Sequence, residues 1–370
     1  MIPTSHIVRF ADSRSLDFLE ARSIALVVTS PPYPMIEMWD GCFSSLNRDI
    51  RTALQECEGP RAFELMHGEL DRTWVEVHRV LVDGGIACIN VGDATRKLGK
   101  AFRLYANHVR MLRTCMEIGF DVLPLILWRK TTNAPNKFMG SGMLPAAAYV
   151  TLEHEYILVL RKGDKRSFST PEEKQNRRES GFFWEERNTW FSDVWDPRGT
   201  RQSLNLGRTR DRSAAFPFEL AYRLVNMFSV KGDTVLDPFL GTGTTMRAAA
   251  ASERNSVGVE IDEGFYDHLS ETTPGAVETL NAYVSERLRR HLRFVEEYAE
   301  RRGRPKYVNA PHGFPVVTSQ ETDLTLRYID RVEELARDPL SYRISYRDAP
   351  AGSEPEPPVG PFRAGSFNPP

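Results

Sequence analysis

The sequence predicts a doubly wound α/β fold on a mostly parallel sheet. Three observations predict it. Two apolar runs, Ile24-Ala25-Leu26-Val27-Val28 and Thr234-Val235-Leu236, each stop at a loop dense in Pro or Gly. Strand-like and helix-like patterns alternate along both halves of the chain. That rhythm is lost between residues 164 and 211 and then returns, as an insertion within one domain would have it.

Composition narrows the classes. The chain has 370 residues, 41% hydrophobic and 26% charged, enough for one large α/β domain with insertions. The formal net charge is −2, so any nucleic-acid surface has to be local. Cys42, Cys57, Cys88 and Cys115 lack metal-ligand spacing and read as reduced thiols of a cytoplasmic protein. No metal is expected. Arg9, Asp12 and Arg14 interrupt the N-terminus, against a signal peptide, and the apolar stretch 120–128 is too short to span a membrane.

The elements follow in order. Residues 1–24 lead in, with a short helical stretch from Ser13. Residues 35–65 are poorly patterned, hold Trp39 and Phe43, and read as a mobile flap. Leu70, Trp74, Val77 and Leu81 fall at helical spacing, with Gly84-Gly85 to end the helix. Ile86-Ala87-Cys88-Ile89-Asn90-Val91 reads as a buried strand. A helix is expected over 101–118, ended by Gly119, then a strand over 120–128 in which Pro124 demands an edge or a bulge. His154-Glu155-Tyr156-Ile157-Leu158-Val159-Leu160 is a strand turning at Gly163. The segment 164–211 holds Trp184, Trp190 and Trp195 among many arginines. Phe216-Pro217-Phe218 opens a helix with proline in its first turn. A strand over 233–237, a helix over 244–252 and a strand over 256–261 complete the α/β pattern. Residues 263–302 are helical and charged, a further helix covers 322–337, and the composition from Ala349 onward suits a disordered tail.

Two loops carry the chemistry. Asp237-Pro238-Phe239-Leu240-Gly241-Thr242-Gly243-Thr244-Thr245 joins a strand to a helix. Gly241 and Gly243 allow a tight turn and close approach of a ligand, so a side chain at Gly243 is expected to block it. The helix start at Thr244 presents N–H groups. Glu260, at the end of the next strand, suits ribose hydroxyls. A nicotinamide cofactor fits poorly, because Met246 stands where its fingerprint has a third glycine, and no Gly-Lys-Ser/Thr phosphate loop is present. S-adenosyl-L-methionine fits, with its ribose at Glu260 and its charged amino-acid end at the loop and Asp237.

The other loop is Thr29-Ser30-Pro31-Pro32-Tyr33-Pro34. Ser30 Oγ and the Pro31 carbonyl are two neutral acceptors beside the flat ring of Tyr33, suited to a planar ligand bearing an NH2 group. The plainer reading is a Pro-rich turn. Aligning such an amine with a methyl donor supplies much of the acceleration. Were that ligand a base of a duplex, it would be out of reach until flipped out, with Tyr33 as a stacking surface.

Together these loops resemble the DNA amino-methyltransferases of the permuted, β-group order, in which the catalytic loop precedes the cofactor loop. The serine-first form resembles the cytosine-N4 branch. The resemblance covers roughly residues 7–270 and implies a methyltransferase (Rossmann-like) sheet. It implies a catalytic half at 1–163, an inserted DNA-recognition region at 164–211 and a cofactor half at 212–279; the residue pattern beyond it reads as a helical C-terminal extension at 280–348 and a tail at 349–370. The resemblance implies that Asp12 holds the adenine, although Asp12 equally reads as a helix cap, and that Phe216 lies near the methionine end, although it equally reads as core. It also implies double-stranded DNA as substrate and a restriction endonuclease as functional partner. Residues 94–140 carry nine Lys and Arg against two Asp and Glu, and 161–212 carry thirteen against nine. These segments make a positive face, unless they are merely solvated. Lys130, Arg201, Gln202, Asn205, Arg208 and Arg210 are the candidates for DNA contact, since Arg suits guanine and Asn or Gln suits adenine. The lack of a Pro-Cys pair speaks against cytosine-C5 chemistry. Adenine-N6 methylation and a non-catalytic DNA-binding protein of this fold remain alternatives.

Overall fold

The run Ile24–Thr29 is buried at every position, as an unbroken aliphatic strand is when both faces of its sheet are covered. In the computed structural model, which describes residues 2–130, 139–140, 144–146, 148–196 and 216–349, this strand lies inside a ten-stranded sheet. The elements are β1 (Thr4–Phe10), β2 (Ile24–Thr29), α1 (Asp40–Leu46), α2 (Arg48–Gln55), α3 (Gly59–Val80), β3 (Leu81–Val91), β4 (Ala94–Leu98), β5 (Ala101–Tyr105), α4 (Asn107–Ile118), β6 (Phe120–Arg129), β7 (Met139–Gly140), β8 (Ala148–Tyr149) and β9 (His154–Lys162). There follow α5 (Pro171–Glu179), α6 (Trp184–Trp190), β10 (Val194–Trp195), α7 (Phe218–Phe228), β11 (Thr234–Asp237), α8 (Thr244–Ala250), β12 (Asn255–Glu260), α9 (Tyr266–Gly275), α10 (Val277–Arg302), β13 (Tyr307–Val308), β14 (Pro315–Val316), β15 (Arg327–Arg337) and β16 (Leu340–Asp348).

The sheet order is β10-β6-β9-β3-β2-β11-β12-β1-β16-β15. Strands β3, β2, β11, β12 and β1 are parallel neighbours. β9 runs antiparallel to β3 and β6, and the β15–β16 hairpin adds an antiparallel edge to β1. One face is covered by α1 to α4, whose Phe43, Ile50, Met66, Trp74 and Met111 pack with Val27 and Ile89. The other is covered by α7 and α8, with Trp190 and Trp195 packed beside Val28 and Val235. Two covered faces around a parallel core make the fold doubly wound. Pairing of β2 with β11, Val27 opposite Leu236, brings the two loops side by side beyond the strands' carboxyl ends, where such sheets bind ligands.

Several elements differ from the expectation. The lead-in begins with a strand not expected there, β1; its inward groups include His6, whose ring bonds Thr4 Oγ1 and Ser256 Oγ, each at 2.8 Å. Turns stand where a helix was expected after Ser13. Residues 35–65 are short helices rather than a loose flap. Phe43, Ile50 and Ala53 are fully buried, and Asn47 caps α2 by accepting from Asp49 N at 3.0 Å. Helix α3 ends at Val80, and Gly84-Gly85 fall within β3. There the left-handed Gly84 (φ +78°) passes so close to Arg166 N that a Cβ would lie 2.4 Å away. The helix expected over 101–118 begins only at Asn107; Ala101–Tyr105 pairs with β4. Pro124 sits at a bulge, where pairing with β9 skips between Leu123 and Ile126. The helix expected over 322–337 is β15 instead, because pairing with β16 outweighs the helix propensity of Glu333-Glu334-Leu335-Ala336. The C-terminal extension is therefore one long helix, the short β13–β14 pair and the β15–β16 hairpin. The tail from 350 lies outside the described residues, while Ala349 is buried beside Phe314 and Tyr328.

Candidate active site

The loop after β2 and the loop after β11 line one cavity, shared with the turn after β1. The side chains of Asp12, Ser30, Pro32, Phe216, Asp237, Phe239, Thr244 and Glu260, with the backbone of Gly241, all border it. Pro31 is buried at its edge. Met38, Trp39, Cys42, Phe43 and Leu46 form a further wall, so the supposed flap is built into the site.

The cradle is held by its own carboxylates. Asp237 Oδ1 accepts from Thr29 Oγ1 at 2.6 Å and from Phe239 N at 3.1 Å. The first of these ties the acceptor loop to the cofactor loop. Burial pushes the Asp237 carboxyl up to about 6, against the pull of those hydrogen bonds. Glu260 Oε2 accepts from Gly241 N at 2.8 Å and Oε1 from Asp262 N at 2.9 Å. A carboxylate at this place is an acceptor of the kind a hydroxyl pair requires. Asp12 is not a helix cap. It accepts from Arg14 N at 2.9 Å and from Arg14 Nε at 2.8 Å, and Arg14 also bridges to Glu69 at 2.5 Å. Burial raises its carboxyl, but the Arg14 guanidinium holds it below the ordinary value.

The two glycines do different things. At Gly241 (φ +52°) an added Cβ would come no nearer than 4.0 Å to Phe239 O, whereas at Gly243 (φ +80°) it would meet Leu269 Cδ2 at 2.9 Å and Met246 Cε at 3.4 Å. Gly243 thus fits the loop onto α9 and is not part of the cavity wall, contrary to the expectation that a side chain there fills ligand space. Gly243→Ala is expected to lower stability by about 1–3 kcal/mol through strain at its left-handed φ, measured by chemical denaturation. An unchanged midpoint would contradict this.

On the acceptor side a polar cluster stands behind the loop. Tyr33 Oη lies 3.0 Å from Ser30 Oγ and donates to Glu155 Oε2 at 2.9 Å. Asn90 Nδ2 donates to Tyr33 Oη at 2.8 Å and to Glu155 Oε2 at 2.6 Å. Lys130 Nζ reaches Glu155 Oε1 at 2.5 Å. Lys130, expected as a DNA contact, is engaged with this cluster. Asn90 and Glu155 are not singled out by the sequence. The available signal is a polar residue near one end of an apolar run in each of two adjacent strands, Asn90 in the run 86–91 of β3 and Glu155 just before the run 156–160 of β9. Arg201, Gln202, Asn205, Arg208 and Arg210 lie outside the described residues. Among the described residues there is no cluster of three or more metal-ligating side chains, and no helix is long and apolar enough to cross a membrane.

The chain is similar to known proteins in sequence and fold. A family model described as DNA methylase matches residues 24–271. The type II methyltransferase M.MthZI of Methanothermobacter thermautotrophicus is 53% identical over 327 residues, 88% of this chain and 91% of its own. The type II methyltransferase M.MjaI of Methanocaldococcus jannaschii is 48% identical over 281 residues, 73% of this chain and 91% of its own. A candidate DNA modification methylase of Thermus thermophilus, solved in complex with S-adenosyl-L-methionine, superposes with a TM-score of 0.56 at 33% identity, covering 72% of this chain and 92% of that one. The match spans both loops and the parallel strands that pair them, and the chain belongs to the DNA methylase family.

Proposed function

We propose that the protein transfers a methyl group from S-adenosyl-L-methionine to the N4 amine of a cytosine flipped out of double-stranded DNA, as the modification partner of a restriction endonuclease. The observation that carries the reading is the shared cavity, which puts the neutral acceptor Ser30, with the buried Pro31 next to it in the chain, beside a cradle of acidic and apolar groups. That cradle suits a positively charged nucleoside. Glu260 is the acceptor for ribose hydroxyls, Asp237 opposes the cationic amino-acid end, Asp12 stands at the turn after β1 for the adenine, and Phe216 and Phe239 are apolar walls. When bound, the cofactor supplies an electrophilic methyl group. Ser30 Oγ and Pro31 O hold the two amine hydrogens and turn the nitrogen lone pair toward that methyl. No base is required before transfer, because the amine becomes acidic only once methylated. The serine in first place supports cytosine over adenine.

The ribbon β4–β5 supports a DNA surface beside the loop. It leaves β3 at Gly92, where an added Cβ would lie 3.0 Å from the Tyr33 ring. Arg96 clamps the ribbon to Asp40 at 2.7 and 2.6 Å. Lys97, Lys100 and Arg103 are exposed, as is Phe102, which stacks on Tyr149 with centroids 5.2 Å apart. A two-stranded ribbon of this charge suits a DNA groove. Replacing Lys97, Lys100 and Arg103 together by Ala is expected to weaken binding to all DNA sequences alike. It should also flatten the log-affinity against log-salt slope by about 2–3, with cofactor affinity unchanged. An unchanged slope would move the phosphate contacts elsewhere.

The reaction itself is tested by sequencing DNA from cells expressing the protein, with a readout that separates N4-methylcytosine from N6-methyladenine. The expected outcome is N4-methylcytosine at one recurrent sequence; adenine marks would favour the alternative.

A further inference from the structure

Hydrogen-bond donors and acceptors around Tyr33 fix the direction of every proton in the cluster behind the catalytic loop. Tyr33 Oη has one proton and three neighbours, Ser30 Oγ, Glu155 Oε2 and Asn90 Nδ2, at 3.0, 2.9 and 2.8 Å. A carboxylate oxygen only accepts and an amide nitrogen only donates. The Tyr33 proton therefore goes to Glu155, the Asn90 amide donates to Tyr33, and the remaining lone pair of Tyr33 takes the Ser30 proton. Turning the Asn90 amide over would set its oxygen against Glu155 Oε2 at 2.6 Å. Its oxygen is buried with no hydrogen-bond partner, so the donor role toward the carboxylate decides its orientation. Burial, and next the charge of Glu155, hold the Tyr33 phenol well above its ordinary range, so it keeps its proton. Ser30 is thus locked as a donor on its inner side and offers lone pairs on its outer side.

We infer that Glu155 ends a relay, Ser30 to Tyr33 to Glu155, that orients the Ser30 hydroxyl before methyl transfer and accepts the proton released by the amine afterwards. The step balances. The amine nitrogen forms its bond to the methyl carbon as the sulfur–methyl bond breaks, leaving a neutral thioether and a positively charged methylated amine. That amine gives one proton to Ser30 Oγ. The Ser30 proton passes to Tyr33 Oη, and the Tyr33 proton passes to Glu155 Oε2, which becomes a neutral acid. Glu155 is 9% exposed, while the Lys130 side chain bonded to its other oxygen is 45% exposed. Lys130 thus marks the route by which the proton reaches solvent and the carboxylate is restored. The inference rests on methyl transfer to an exocyclic amine, but not on which base bears it.

The test uses Glu155→Gln, Tyr33→Phe and the double variant of the full chain. Melting temperature and affinities for S-adenosyl-L-methionine and duplex DNA are measured beside single-turnover methylation. Each single change is expected to slow methylation by about 10²-fold with both affinities within about twofold. The double variant should be no slower than the slower single, since both interrupt one path. Formate should restore part of the rate of Glu155→Ala, which a purely structural role would not permit. Should Glu155→Gln unfold, Tyr33→Phe, which removes one oxygen and keeps the ring, decides alone. Rates within about threefold of wild type in folded variants, or effects that multiply in the double, overturn the relay while leaving the methyltransferase reading intact. An inactive wild-type protein would instead count against that reading.

Discussion

Ser30→Ala is expected to slow methyl transfer by about 10²-fold or more while cofactor affinity stays within about twofold. Ser30 is the one side-chain acceptor the Ser-Pro-Pro-Tyr loop turns toward the cavity, and its hydroxyl is held by Tyr33 at 3.0 Å. Tyr33 remains held by Asn90 and Glu155 without it, so the loop keeps its shape. The loss should be confined to alignment of the amine. In stability it amounts to one hydrogen bond, about 0.5–1.5 kcal/mol. Single-turnover kinetics at saturating cofactor measure the first quantity and thermal melting the second. Wild-type turnover in the variant would remove Ser30 from the mechanism.

Asp237→Asn should separate binding from stability. Its oxygen can still accept from Thr29 and Phe239, because both reach the same atom, Oδ1. What disappears is the buried charge. With the folded carboxyl raised to about 6 from an unfolded value of 3.8, the unliganded protein's stability from this group is complete below pH 3.8 and lost as pH rises through 6. At neutral pH the ionised side chain therefore costs about 3 kcal/mol at most, and the Asn variant should melt higher. Cofactor binding should move the opposite way. A cationic ligand favours the ionised form, so affinity should fall about tenfold for each pH unit below 6. In Asp237→Asn it should be about 10–100-fold weaker at pH 7, the worth of a hydrogen bond to a charged group. The variant should also have lost the pH dependence. Calorimetry from pH 5 to 8 checks both. A variant that binds as tightly as wild type would place the cationic end of the ligand elsewhere.

The parts of the site legible in the sequence are those marked by backbone chemistry. Two prolines after Ser30 and two glycines after Asp237 stop apolar strands abruptly, and the acid at Glu260 ends the next strand; these loops and this acid lie around one cavity. The hidden parts depend on contacts between distant segments. β1 is obscured because its buried positions include Thr4 and His6, which bond each other and also Tyr346 and Ser256 on the neighbouring strands. Helices α1 and α2 are too short for periodicity to rise above the turn residues between them. β15 reads as a helix locally, and only its partner strand makes it extended. Asn90 and Glu155 meet because β3 and β9 are antiparallel neighbours, with Asn90 opposite Ile157 and Val91 opposite Tyr156. Linear spacing does not reveal that register. Gly243 reads as a ligand contact from its motif alone, and the packing of Leu269 corrects it.

The proposed function turns on delivery of the methyl group to an exocyclic nitrogen of cytosine. The most direct measurement incubates the purified protein with unmethylated duplex DNA and S-adenosyl-L-methionine bearing a deuterated methyl group, followed by digestion to nucleosides and mass spectrometry. The expected result is deuterated N4-methyldeoxycytidine from wild type and only a trace from Ser30→Ala. Label in N6-methyldeoxyadenosine or 5-methyldeoxycytidine, or no label in any nucleoside, would contradict it.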